Sequence, residues 1–119
     1  FRGEQPELEQ VCYPGRESCA QTELAKSQGT GYGAMLWFEG KGGLDAGKKL
    51  MDAVEVWSLA ENLGSVESLI THPVTMTHAD VEEAERARVG IIDGLVRLSA
   101  GLEDVEEFSD ALGKGLDQV

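Results

Sequence analysis

The run Gly94-Leu95-Val96-Arg97-Leu98-Ser99-Ala100-Gly101-Leu102-Glu103-Asp104 constrains the fold most, because an apolar, strand-like pattern passes directly into an acidic helix start. Alternate side chains of a strand face opposite ways, so Val96, Leu98 and Ala100 share one face and Leu95, Arg97 and Ser99 the other. The first face suits a core, while the second carries a cation. A guanidinium on a rigid strand is matched to a carboxylate, since its planar fork of donors grips two oxygens at once. On these residues alone the bland reading is favoured, an arginine on the solvent side of an antiparallel strand. Beyond the strand, Glu103, Asp104, Glu106 and Glu107 crowd the first turn of a helix, where the positive end of the dipole favours them. Val105, Phe108, Leu112 and Leu116 have the spacing of its buried stripe.

The remaining elements are read from the same periodicities. Residues 1–10 look like the tail of a helix, followed by a short apolar run, Val11 to Tyr13, that Pro14-Gly15 turns. The stretch from Arg16 to Thr30 is polar, with a helical turn expected over Glu23 to Lys26. Glycines 29, 31 and 33 lead into Ala34 to Phe38, which is apolar on both faces and reads as a buried central strand. Leu44 to Trp57 has apolar residues at Leu50, Met51, Val54 and Trp57, the spacing of an amphipathic helix. Two short extended pieces are expected between Leu63 and Pro73, split at Gly64. Asp80 to Arg88 reads as a short exposed helix, capped at Thr77 or Asp80 and ended at Gly90. With strands grouped and no regular βαβ alternation, the fold class is α+β, a small antiparallel sheet with helices packed on one face.

At 119 residues the chain is one domain's worth. Its 22 acids against 10 bases give a net charge of -12, which argues against nucleic acid or an anionic membrane as partner, since both demand a basic patch. No apolar run approaches the roughly 20 residues of a membrane span, and nothing at the start resembles an export signal, so a cytoplasmic protein is expected. A start at Phe1, entering at once into charged sequence, suggests a piece of a longer polypeptide.

Cys12 and Cys19 leave a disulfide open, although free thiols are the simpler reading for such a domain. With His72 and His78 they do not match zinc-ligand spacing, and no metal site is expected. Gly42-x-x-x-x-Gly47-Lys48 approaches a phosphate-binding loop but has Lys49 where magnesium needs Ser or Thr, Asp45 beside the phosphates, and helical periodicity from Leu44. Both histidines are read as structural or surface groups, since no nucleophile stands beside them.

Taken together, Tyr13-Pro14-Gly15, Glu23-Leu24-Ala25, the run from Leu59 to Leu69 (LAENLGSVESL), His72-Pro73-x-x-Met76-Thr77-His78-Ala79 and the run from Gly94 to Asp104 resemble a known family. They are similar to the C-terminal domain of the pyridoxal-phosphate-dependent Cys/Met metabolism (trans-sulfuration) enzymes, over essentially the whole chain. The resemblance implies the small domain of fold-type I enzymes, with 1–32 a connecting segment and 33–119 the core. It implies that Arg97 grips the α-carboxylate of a sulfur amino-acid substrate, with Thr77 supporting it and Glu61, Asn62 and Leu63 beside the substrate, and this reverses the balance on Arg97. Asn62 stands where the family has a serine, and Glu61 resembles the acidic form of cystathionine-handling members. Arg16 and Cys19-Ala20 depart from the family's Leu and His-Pro, which concerns docking onto the large domain.

The resemblance further implies pyridoxal 5'-phosphate as cofactor, an electron sink held by the large domain and its lysine, neither of which has a matching motif here. No catalytic or cofactor-binding residue is therefore expected in this chain, which alone should be inactive. The implied reaction is β/γ-elimination or γ-replacement on cystathionine-type substrates in a homotetramer. Methionine γ-lyase or O-acylhomoserine sulfhydrylase activity, or a non-catalytic assembly module, are the alternatives.

Overall fold

The structure, a computed structural model, describes residues 5–119. Five strands, β1 (Leu8–Cys12), β2 (Met35–Gly40), β3 (Ser58–Leu59), β4 (Leu69–Thr71) and β5 (Leu95–Ser99), form one sheet in the order β1-β2-β5-β4-β3. Four helices accompany them: α1 (Thr22–Gln28), α2 (Gly43–Ala53), α3 (Glu83–Arg88) and α4 (Val105–Leu116). The last strand in sequence is thus the central one, antiparallel to β2 on one side and to β4 on the other.

Strand parity works as the sequence implied. Val96 and Leu98 lie on the core side of β5, with Phe38 opposite Val96 and both Leu36 and Ile70 opposite Leu98. That face receives Leu50 and Met51 of α2 and Phe108, Leu112 and Leu116 of α4, and Leu98 is left 1 % exposed. Burying a leucine this fully contributes about 1.5–3 kcal/mol. Trp57, just beyond α2, stacks on Phe108 with ring centroids 4.3 Å apart. The fold is α+β with helices α2 and α4 on one face, as expected.

Several expectations are corrected. The sheet is mixed, because β3 runs parallel to β4; strands of two and three residues can be joined in parallel by the loop 60–68 without a long crossover. Of the helical tail expected over 1–10, residues 1–4 lie outside the described residues, and 8–12 are a strand. The cause is a bulge between Leu8 and Gln10. It brings Leu8 and Val11 to the same face, opposite Gly40 and Phe38, so apolar residues recur at a helix-like spacing along a strand. β2 is not covered on both faces: Phe38 is buried, but Met35 is 39 % exposed. α2 ends at Ala53, where Val54 turns extended with ψ 120°, so Trp57 reaches the core from the connection.

The first of the two extended pieces lies earlier than expected, at Ser58–Leu59, with Gly64 in the following loop at φ +96°. α3 starts after Glu82, not at Thr77 or Asp80. In α4 the cap is Asp104, whose carboxylate accepts from the amides of Glu106 at 2.9 Å and Glu107 at 3.3 Å. Val105, the first residue of α4, is 69 % exposed, and Gly115 joins the buried stripe instead.

Candidate functional site

On the sheet face away from α2 and α4, Arg97 projects from the central strand. Its cross-strand neighbours are Trp37 on β2 and Thr71 on β4. A cleft of about 380 Å³ opens there, floored by Leu69, Thr71, Arg97 and Ser99 and walled by Glu61, Asn62 and Leu63 from the loop after β3 and by Thr77. All five residues singled out from the sequence, Arg97, Asn62, Leu63, Thr77 and Glu61, therefore meet in one cleft. Thr71 and Ser99 join them. Ser99 was visible from parity with Arg97, whereas Thr71 is found only through the β4–β5 register.

The guanidinium is exposed and makes one long contact, from Nη2 to the Met35 sulfur at 3.9 Å. Among the described residues Arg97 forms no ion pair; the two that occur are Lys26–Glu23 and Arg88–Glu85. Without a carboxylate partner among the described residues, this strand-borne arginine leaves its donor fork open to an anion that enters the cleft. Thr77 lines the cleft but spends its hydroxyl on His78 Nδ1 at 2.7 Å, not on Arg97.

The loop that carries Glu61, Asn62 and Leu63 is anchored at both ends. At its start, the Thr71 hydroxyl donates to the Ala60 carbonyl at 3.1 Å. At its end Ser68 is fully buried: its hydroxyl donates to Glu103 at 2.5 Å, its amide to the same carboxylate at 2.8 Å, and it accepts from the Gly101 amide at 2.8 Å. Glu103 is thus a loop anchor, and the Ser68 hydroxyl, then the Ser68 amide, hold its carboxyl below the usual carboxylate range. Gly101 lies so close to the Val66 carbonyl that a Cβ there would clash with it and approach the Glu103 carboxylate to 2.6 Å.

His72, fully buried, is spoken for at both nitrogens. Its Nε2 meets the Asp93 carbonyl at 2.8 Å, an acceptor, so Nε2 donates; Nδ1 faces the Thr75 hydroxyl at 2.9 Å. The ring braces the connection after β4 and has no free nitrogen for proton transfer. The glycine-rich start of α2 is helix from Gly43, including Gly47 and Lys48, so no phosphate-cradling loop exists there.

Across this sequence, a model of the family described as Cys/Met metabolism PLP-dependent enzymes matches residues 1–117. The chain belongs to that family. Among its relatives, the L-methionine gamma-lyase of Fusobacterium nucleatum subsp. polymorphum is 47% identical over 119 residues, covering 100% of this chain and 30% of that protein. The cystathionine gamma-lyase of Dictyostelium discoideum is 43% identical over 118 residues, 99% of this chain and 30% of that protein. The crystal structure of cystathionine gamma synthase from Xanthomonas oryzae pv. oryzae in complex with cystathionine superposes with a TM-score of 0.89 at 43% identity, over 96% of this chain and 30% of that one. The chain spans about 30% of the length of the curated relatives it matches.

Family members depend on pyridoxal phosphate, and the cleft residues fit that group poorly as a covalent holder. None of Ala60, Glu61, Asn62, Leu63, Leu69, Thr71, Thr77, Arg97 and Ser99 is a lysine. Lys48 and Lys49 lie on α2, and Lys114 on α4, the two helices of the opposite face. Among the described residues no helix is long and apolar enough to cross a membrane.

Proposed function

We propose that this chain is the carboxyl-terminal, substrate-carboxylate-binding domain of an enzyme that cleaves or replaces C–S bonds of cystathionine-type amino acids. It corresponds to the small domain of fold-type I enzymes, with 33–119 as its core and 1–32 as the connecting segment, from which β1 adds the sheet edge. The observation that carries the reading is the Arg97 guanidinium on the central strand, without an ion-pair partner among the described residues and facing a cleft shared with Glu61, Asn62, Leu63 and Thr77. Arg97 would bind the α-carboxylate with two parallel hydrogen bonds, while Asn62 and Glu61 orient the remainder of the substrate and the loop limits entry of water. Thr77 lines the rim of the cleft. Pyridoxal phosphate is carried by the large domain of the same or a partner chain and supplies an electron sink. This segment alone is inactive, and the whole enzyme is a cytoplasmic homotetramer.

A second reading within the family has its own support. The 47% identity to an L-methionine gamma-lyase exceeds the 43% to a cystathionine gamma-lyase, which favours methionine as substrate. The acidic Glu61 favours cystathionine.

The test is Arg97→Ala and Arg97→Lys in the full-length enzyme, with products analysed from cystathionine, methionine and O-acetylhomoserine. Loss of two charge-assisted hydrogen bonds of about 1.5 kcal/mol each predicts about a 100-fold fall in kcat/KM, with the cofactor's absorbance unchanged. Unchanged kinetics in Arg97→Ala would reject the clamp. No turnover by the wild-type enzyme on any of the three substrates would favour a non-catalytic module, and a cofactor lysine downstream of this segment would reject the carboxyl-terminal assignment.

A further inference from the structure

The cysteine pair plays no part in the cleft. Cys12 ends β1 and Cys19 lies beyond the Tyr13-Pro14-Gly15 turn, yet their Sγ atoms are only 3.4 Å apart. Both thiols are free and half-buried. The segment between them is closely tied: the Tyr13 carbonyl accepts from the Arg16 amide at 2.9 Å, and the Arg16 carbonyl accepts from the Cys19 amide at 2.9 Å. The Cys19 carbonyl in turn accepts from the Thr22 amide at 3.1 Å and from the Thr22 hydroxyl at 2.9 Å. The hydroxyl of this buried threonine also donates to the Arg16 carbonyl. The two sulfurs are thus held face to face by a backbone with little freedom to separate them. A sulfur–sulfur bond is about 2.05 Å long, so an approach of about 1.4 Å separates contact from bond.

The pair is also chemically unequal. A hydrogen bond from the Gln21 amide, then one from the Cys12 thiol, lowers the Cys19 thiol below its ordinary range. Burial, then the neighbouring Cys19, pushes the Cys12 thiol up. A lowered thiol favours Cys19 as the attacking sulfur and leaves Cys12, at the end of the paired strand β1, to resolve it.

We propose that Cys12 and Cys19 are a reversible thiol–disulfide site, oxidised by a small-molecule disulfide, whose closure ties the edge strand β1 to the turn that follows it. The Cys19 thiolate attacks one sulfur of the small disulfide, whose S–S bond breaks and releases one thiol, leaving a mixed disulfide on Cys19. Cys12, giving up its proton, then attacks the Cys19 sulfur and expels the second small thiol. The two cysteines together lose two electrons, the small disulfide gains them, and both protons leave on the two small thiols. The edge so fixed belongs to the sheet that presents the cleft, since Cys12 lies opposite Trp37 and Trp37 opposite Arg97 in one cross-strand row.

The test equilibrates the reduced full-length protein in glutathione buffers of rising oxidised fraction, traps free thiols by alkylation, and maps the peptides by mass spectrometry. The expected result is loss of two hydrogens in a single peptide linked between Cys12 and Cys19, reversed by dithiothreitol. Cys12→Ser should accumulate a glutathione adduct on Cys19, and Cys19→Ser should leave Cys12 open to alkylation. The wild-type measurement needs no variant to fold. Both cysteines still alkylated in oxidised glutathione, or adducts without an internal link, would overturn the proposal. Equal adduct formation in the two variants would overturn the order of attack.

Discussion

Gly113 and Gly115 stand two residues apart in α4, and replacing each with alanine separates two effects of opposite sign. An alanine in place of a helical glycine stabilises by about 0.5–1 kcal/mol through the lower entropy of the unfolded backbone. At Gly113 an added Cβ would meet nothing within 4 Å. Gly113→Ala should therefore realise the gain, about 0.5 kcal/mol in the last turn. At Gly115 the Cβ would lie 2.8 Å from Leu50 Cδ1 and 2.8 Å from Val54 Cγ1. Both belong to the core where α4 packs against α2; the tip of Leu50 can swing away, but the valine is stiff at χ1, so relief requires the backbone at Val54 or α4 to shift. Overpacking of this kind costs about 1–3 kcal/mol, which exceeds the helical gain. Gly115→Ala should lose about 1 kcal/mol net, giving a gap of about 1.5 kcal/mol between the variants. Equilibrium urea unfolding followed by tryptophan fluorescence resolves this gap, which amounts to about 0.5–1.5 M in midpoint at ordinary slopes. Equal stabilisation by both substitutions would refute the close approach of α2 and α4.

The Ser68–Glu103 anchor makes stability pH-dependent in a defined direction. Because the folded carboxyl is held below its ordinary value of 4.5, its contribution is complete above that value and is lost as pH falls through the lower folded value. Acid unfolding curves of wild type and Glu103→Gln should therefore be separated above that value and converge below it; a constant separation would reject the anchor. Asp104→Ala should cost about 1 kcal/mol by freeing the capped amides of Glu106 and Glu107, read as a lower thermal midpoint, with Asp104→Ser recovering most of it.

What the sequence disclosed and withheld follows the range of the interactions. The Arg97 strand and the acidic start of α4 were legible because alternation and capping are local. The strand at Leu8–Cys12 was not, since a bulge disguised its parity and its partners lie 25 to 32 residues on. The two-residue strand Ser58–Leu59 has no local signature, and only its pairing with β4 defines it. Val105 fits a helical period but opens α4 and stays exposed. In the cleft, Arg97 announced itself as a misplaced charge, whereas Glu61, Asn62, Leu63 and Thr77 were marked by the family pattern alone. Thr71 needed the register.

The placement of β5 at the centre of the sheet has a consequence for synthesis. While the chain grows, β1 and β2 can pair, and so can β3 and β4, but no hydrogen bond joins the two halves until residues 95–99 have been made. Until then β2 and β4 each present an unpaired edge and one apolar face, the condition in which nascent chains stick to one another. A ribosome stalled before Leu95 would hold two adhesive half-sheets; insertion of β5 joins them and delivers Arg97 to its cleft, and α4 then covers the apolar face. Assembly of the sheet and presentation of the arginine are thus one late event, and chaperone dependence should be concentrated in the time before it.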